Sequence, residues 1–134
     1  MSNRDGANGK LGSIGTAITA VSSNTTTAGA VVDVSGANIV TFEIFSNAWT
    51  DGTFTPLIKE SNASNMSGET AVSDDDLTVT EANAAVAAAS TVKYISYVGN
   101  KRYITCDIVS TGTSSGGTIG VNVIKEALTI APDA

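Results

Sequence analysis

Few residues in this chain have the types and spacing that chemistry requires. There is no histidine among its 134 residues. That removes the commonest general base near neutral pH and the commonest neutral metal ligand. A serine nucleophile would need Lys or a carboxylate to activate it, and no serine stands in a G-x-S-x-G elbow. Cys106 is the only thiol. A reactive thiol needs a partly exposed, electropositive setting; Arg102 lies on the same strand face, about 13 Å away by strand rise. Cys106 therefore reads as a small buried apolar residue. Asp74-Asp75-Asp76, with Glu69 nearby, could hold a hard cation, but the alternating ligands, central Gly and distal Glu of an EF-hand are missing. The run reads as a solvated acidic loop ahead of a helix, whose N-terminal dipole favours negative charge. The glycines of Thr111–Gly117 lack the Gly-Lys-Ser/Thr ending of a phosphate loop, and no long helix follows them. The expectation is a protein that is not an enzyme and carries no cofactor or metal.

The remaining candidates are surface contacts. Trp49 is the only tryptophan; it could anchor an interface or cap the end of a core. Lys101-Arg102 is a small basic tip, suited either to an ionic contact with an acidic partner or to an ordinary solvated turn. The formal net charge of −6 argues against binding a nucleic-acid backbone, which needs clustered Lys and Arg. It fits a protein that stays soluble before assembly. A single cysteine allows no intrachain disulfide and points to synthesis in a reducing cytoplasm. No apolar run is long enough to span a bilayer, and MSNRDGANGKLGSIGTA has no apolar signal-peptide centre.

The elements that would position these residues are strands. Thirteen glycines with many Ser, Thr and Asn residues favour numerous sharp turns and short strands. Residues 1–16, poor in apolar side chains, read as a flexible arm that either stays loose or orders on a neighbour. Residues 17–134 read as one β-sandwich or barrel-like domain. Its first strands are expected at Ala17–Ser22 and from Ala30 through Val34. In Asn38–Ser46, Val40, Phe42 and Ile44 share one face; Ile39 and Phe45 fall on the other, which is expected to be partly covered. Asp51-Gly52 reads as a hairpin turn into a return strand, Thr53–Glu60, where Pro56 implies an edge or a break. The long polar stretch Ser61–Asp76 follows. Thr78 and Glu81 have capping-box spacing, and the alanine-rich stretch after them predicts a helix over about Glu81–Ala89. Val92–Val98 and Lys101–Ser110 read as a second hairpin turning at Gly99-Asn100, with Ile104, Cys106 and Ile108 inward. Thr118–Ile124 is the last strong strand, and a short one is expected at Leu128–Ile130.

Three spans carry a family resemblance: VTFEIFSNAWTDGTFTPLIKES at Val40–Ser61, YVGNKRYITCDIV at Tyr97–Val109, and the closing VNVIKEA. In these the chain resembles small virion proteins of tailed bacteriophages. The resemblance covers roughly residues 38–126, is absent from the N-terminal arm, and supplies no catalytic residues. It implies a particle component, with a capsid decoration or cement protein as first choice. Its partners would be the major capsid protein and copies of itself, a trimer being one arrangement. It would be found on the capsid surface of the virion after synthesis in the host cytoplasm. A head–tail joining or tail component is the alternative position. A carbohydrate- or cell-surface-binding β-sandwich is the alternative of a different class.

Overall fold

The computed structural model describes residues 10–37 and 39–126. Among the described residues nine strands, all paired antiparallel, form two sheets packed face to face. They are β1 (Lys10–Val21), β2 (Thr26–Thr27), β3 (Val32–Asp33), β4 (Ile39–Trp49), β5 (Thr53–Ser61), β6 (Thr70–Ala71), β7 (Val92–Tyr97), β8 (Tyr103–Thr111) and β9 (Gly117–Glu126). The first sheet has the order β1-β9-β4-β7. The second has β2-β8-β5-β6, with β3 also on β8. The expected all-β sandwich is the observed fold.

Period-two patterning builds the core. From the first sheet Phe42, Ile44, Ile95, Ile119, Val121 and Val123 point inward, each at most 1% exposed; from the second, Phe54, Ile58, Ile104, Cys106 and Ile108 meet them. Burying each large side chain contributes roughly 1.5–3 kcal/mol. Aliphatic residues fill most of this space, so Phe42 and Phe54 are the two aromatic rings buried completely.

The two expected hairpins are something else. β4 and β5 flank Asp51-Gly52, yet they lie in different sheets, and so do β7 and β8 on either side of Gly99-Asn100. Both connections are arches over the core. Each strand of these pairs carries one apolar face, and crossing the sandwich lets both faces look inward at each other. Gly52 makes the first arch possible with φ +95°, a region closed to most L-residues.

The alanine-rich segment departs from expectation too. It forms one 3-10 turn over Glu81–Ala84, capped by Thr80, whose Oγ1 accepts from Asn83 N at 3.3 Å. Thr78 instead joins the edge of β7: its N–H donates to Ser96 O, and its hydroxyl accepts from Ser96 N at 2.9 Å. Beyond Ala84 the chain runs extended, and Val86 exchanges two 2.8 Å backbone bonds with Phe54. Alanine's helix preference is a few tenths of a kcal/mol per residue. Burying Ala84 and Val86 while pairing the β5 edge outweighs it.

Pro56 sits where its missing N–H does no harm. The N–H groups of Phe54 and Ile58 point away from β8, toward Val86 O and the Glu81 carboxylate; by strand alternation the Pro56 nitrogen faces the same edge. At the N-terminus, β1 begins at Lys10, so the part of the expected arm from residue 10 to 16 is strand, held by its pairing with β9. Thr16 Oγ1 donates to Cys106 O at 2.9 Å, and Gly15 O accepts from Ala30 N at 2.6 Å, which laces the two sheets along one side. Gly29 runs so close to β8 there that a Cβ would overlap Cys106 O. Residues 1–9 and the strand expected at Leu128–Ile130 lie outside the described residues.

Candidate functional site

The arches place the three expected contact residues at opposite ends of the sandwich. Trp49 ends β4 beside Gly117. It is half-buried against the core, and its indole N–H donates to Gly52 O at 2.9 Å. Asp51 next to it anchors the Ser114–Gly116 loop. Its carboxylate accepts from the N–H groups of Ser114 (3.1 Å), Ser115 (3.1 Å) and Gly116 (2.7 Å) and from the Ser114 hydroxyl (2.7 Å). Those donors, the Ser114 hydroxyl first, pull the Asp51 pKa down to about 2. The turn sequence TSSGG thus serves as a cradle for one of the chain's own carboxylates.

Lys101 and Arg102 lie at the other end, where β4 starts. Val40 and Trp49 are nine residues apart on that strand, roughly 30 Å, so the structure does not unite Trp49 with the basic tip. Arg102 grips Asp33 with two nitrogens (Nη2–Oδ2 3.0 Å, Nε–Oδ1 3.2 Å) and lies 5.2 Å from the centre of the Tyr103 ring. The Arg102 hydrogen bond is the main cause that lowers Asp33 to about 2. Lys125 Nζ donates to Asp33 O at 3.0 Å, and Lys101 makes no ion pair among the described residues. Beneath the tip, the Tyr97 hydroxyl donates to Glu60 at 2.7 Å and accepts from Lys101 N at 2.9 Å; burial first, and Glu60 second, push its pKa up. A cleft of about 360 Å³ opens between this arch and the Val34–Ala37 turn. Charges of both signs meet at this end: Arg102 is paired with Asp33, and Glu60 is bonded to Tyr97.

The other chemistry-bearing candidates are structural. Asp74–Asp76 forms a 3-10 turn capped by Ser73, whose Oγ accepts from Asp75 N. Glu69 pairs with Lys59 at 3.3 Å, and Lys59 also reaches Asp107 at 3.1 Å. No group of three or more metal-ligating side chains comes together among the described residues. Cys106 is 1% exposed, and burial pushes its thiol pKa up.

The outer face of the first sheet was not visible in the sequence. Registers align Ile14, Asn122, Glu43 and Tyr94 in one row, and Gly12, Ile124, Thr41 and Ser96 in another. A third row sets Phe45 between Gly120 and Val92, with Ile18 over Gly120. Ile14, Ile18, Val92 and Tyr94 are 58%, 68%, 48% and 56% exposed on this face. Asn122 Nδ2 donates to Glu43 at 3.1 Å, and Glu43 raises the pKa of the adjacent Tyr94 hydroxyl. On β4 alone, Ile39 and Phe45 hinted at this apolar side. The rest depends on strand order, which no local pattern reveals.

No family model and no curated protein sequence matches the chain. Solved structures do. The SPBc2 prophage-derived protein YomS superposes with a TM-score of 0.54 at 15% identity, covering 87% of this chain and 91% of that one. The PBSX exported protein XepA gives a TM-score of 0.55 at 18% identity, covering 92% of this chain; the likeness spans only 39% of XepA. At these identities the likeness is one of fold. The first is described as prophage-derived and the second as an exported protein, so the sandwich is one that a prophage-derived protein uses.

Proposed function

We propose that this chain is a non-enzymatic structural protein of a phage particle, a decoration or cement protein that binds between major capsid subunits and stabilises the head. The observation that carries the reading is the uncovered apolar face of the first sheet, where four large side chains stand about half exposed or more. Large contiguous apolar surface on a folded domain marks a contact site, and it lies on a fold shared with a prophage-derived protein. Several charged side chains, meanwhile, hold the domain's own loops and edges: Asp51, Asp33, Lys59 and Glu81 all bond within it. On a capsid, weak contacts repeat with the shell's symmetry, and multivalent attachment turns modest single affinities into high occupancy. The Lys101–Arg102 tip suits an acidic group on a capsid surface.

The test is to localise the protein on purified particles by imaging with a specific label. Copies spread over the shell, and particles that break at lower temperature when the protein is missing, are the expected results. A ring at one vertex or along the tail would move the protein to a head–tail or tail position. Particles that lack the protein altogether would refute the reading.

A further inference from the structure

We infer that the outer face of the first sheet is a self-association surface, and that two copies of this chain pack through it face to face about a twofold axis. This rests on the cement reading and gives the apolar face to contact between copies, which leaves the Lys101–Arg102 tip to meet the capsid. Size is the first argument. Four strands about 4.8 Å apart and seven residues along β4 give a face of roughly 20 by 25 Å, or about 500 Å² in projection. Side-chain relief brings the accessible area to about 600 Å² per partner, the lower end of specific interfaces. Charge is the second. Each copy carries −6, so two copies repel unless the meeting surface is nearly neutral. Across the three central rows the one carboxylate is Glu43, and it is already hydrogen-bonded to Asn122.

Shape is the third. An isologous interface needs projections and hollows on the same patch. Here Ile14 and Ile18 project from β1. The Glu43–Asn122 ridge separates two shallow grooves, of about 340 Å³ beside Ile124 and about 470 Å³ beside Phe45 and Val92. A twofold-related copy can set its β1 isoleucines into these grooves. Twisted sheets pack in this way, with strands about 30° apart.

Sedimentation velocity on the purified full-length chain between 1 and 100 µM tests this. The expected species has about twice the 13.5 kDa chain mass. Ile18→Asp places a charge in the contact on both copies, and it should weaken the dimer by roughly a hundredfold or more. Val31→Asp alters an exposed apolar side chain that precedes β3 on the second sheet and should leave the dimer intact. Should Ile18→Asp lose the wild-type circular dichroism spectrum, Tyr94→Lys on the opposite margin serves in its place. A monomer at 100 µM, an assembly of three or more copies, or a dimer indifferent to both face variants would overturn the proposal. These readouts use no capsid, so they fail or succeed separately from the particle localisation.

Discussion

Removing the Glu81 side chain tests how the β5 edge is sealed. Ile58 N–H points away from β8 into the edge beside the 3-10 turn, where its partner is Glu81 Oε2 at 2.8 Å. Ile58 itself is fully buried, and the Pro56 position supplies no donor on this edge. Glu81→Ala leaves the Ile58 N–H without its acceptor, a penalty of about 1–3 kcal/mol when no water can enter. The carboxylate is partly solvated, so the lower half of that range applies, about 1–1.5 kcal/mol, or roughly 4 °C in Tm for a domain of this size. Glu81→Gln should cost far less. The amide oxygen can still accept from Ile58 N–H, and the neutral side chain avoids both the desolvation and the repulsion from Asp74 that raise the Glu81 pKa.

The pH dependence has a definite sign. A carboxyl with a raised folded-state pKa binds more protons folded than unfolded, so its contribution falls as pH rises through that value and is largest below 4.5. Thermal melts by circular dichroism from pH 7 to pH 4 should show wild type gaining relative to Glu81→Gln as pH falls. Equal destabilisation by Ala and Gln at pH 7, or a gap between wild type and Gln that does not change with pH, would refute the account of the edge.

Other perturbations have equally direct readouts. Asp51→Ala should lower the Tm at neutral pH by releasing the Ser114–Gly116 loop. With its folded pKa depressed to about 2, Asp51 stabilises the wild type above pH 3.8 and loses that effect as acid approaches pH 2; melts of the two proteins should converge there. Cys106 should resist a thiol-specific disulfide reagent in the folded protein and react at the rate of global opening, which denaturant series can confirm; fast stoichiometric labelling under native conditions would contradict its burial. Thr105 Oγ1 is buried without a hydrogen-bond partner, so Thr105→Val should raise stability by about 1 kcal/mol in chemical denaturation; a loss would mean the hydroxyl has a partner after all.

Strand existence was legible because alternation reports which residues face a core. Val40, Phe42 and Ile44, and later Ile104, Cys106 and Ile108, were assigned inward from period two alone, and all six are buried. Strand partners were not legible. Asp51-Gly52 has the chemistry of a tight turn, and the same chemistry serves an arch between sheets; only the need of β4 and β5 to face each other across the core decides between them. The alanine stretch misled for a related reason. Local helix preference was read correctly, but the value of covering the Phe54 and Ile58 edge depends on a strand more than twenty residues away. The sequence leaves Trp49 open between an interface anchor and a cap on the core, and it makes Lys101-Arg102 a turn; their separation to opposite ends follows from topology.

Topology also decides how this protein can meet another. A sandwich can be joined through an edge by strand addition or through a face by packing. The edges at β5, β7 and β8 are largely occupied, while β1, the other edge of the first sheet, is tied to the second sheet at Gly15 and Thr16. On β5 they are taken by Val86, Glu81 and β6; on β7 by Asp76 and Thr78, where Val98 N donates to Asp76 O at 2.8 Å and Leu77 bridges Tyr97. On β8, the stretch between β2 and β3 is taken by Thr16 and by Gly29, whose N–H donates to Asp107 at 2.8 Å. Short covering strands and inward-turned carboxylates of this kind block strand addition. The routes left for association are the outer edge of β1 and a face. On the second sheet's outer side, β8 carries Asp107 in its ion pair with Lys59 and buries Thr105 at 6% exposure; the first sheet leaves Ile14, Ile18 and Tyr94 in water. The polar long connection and the short covering strands thus shield β5, β7 and β8 from strand addition, and the first sheet keeps one apolar side available for a contact that closes.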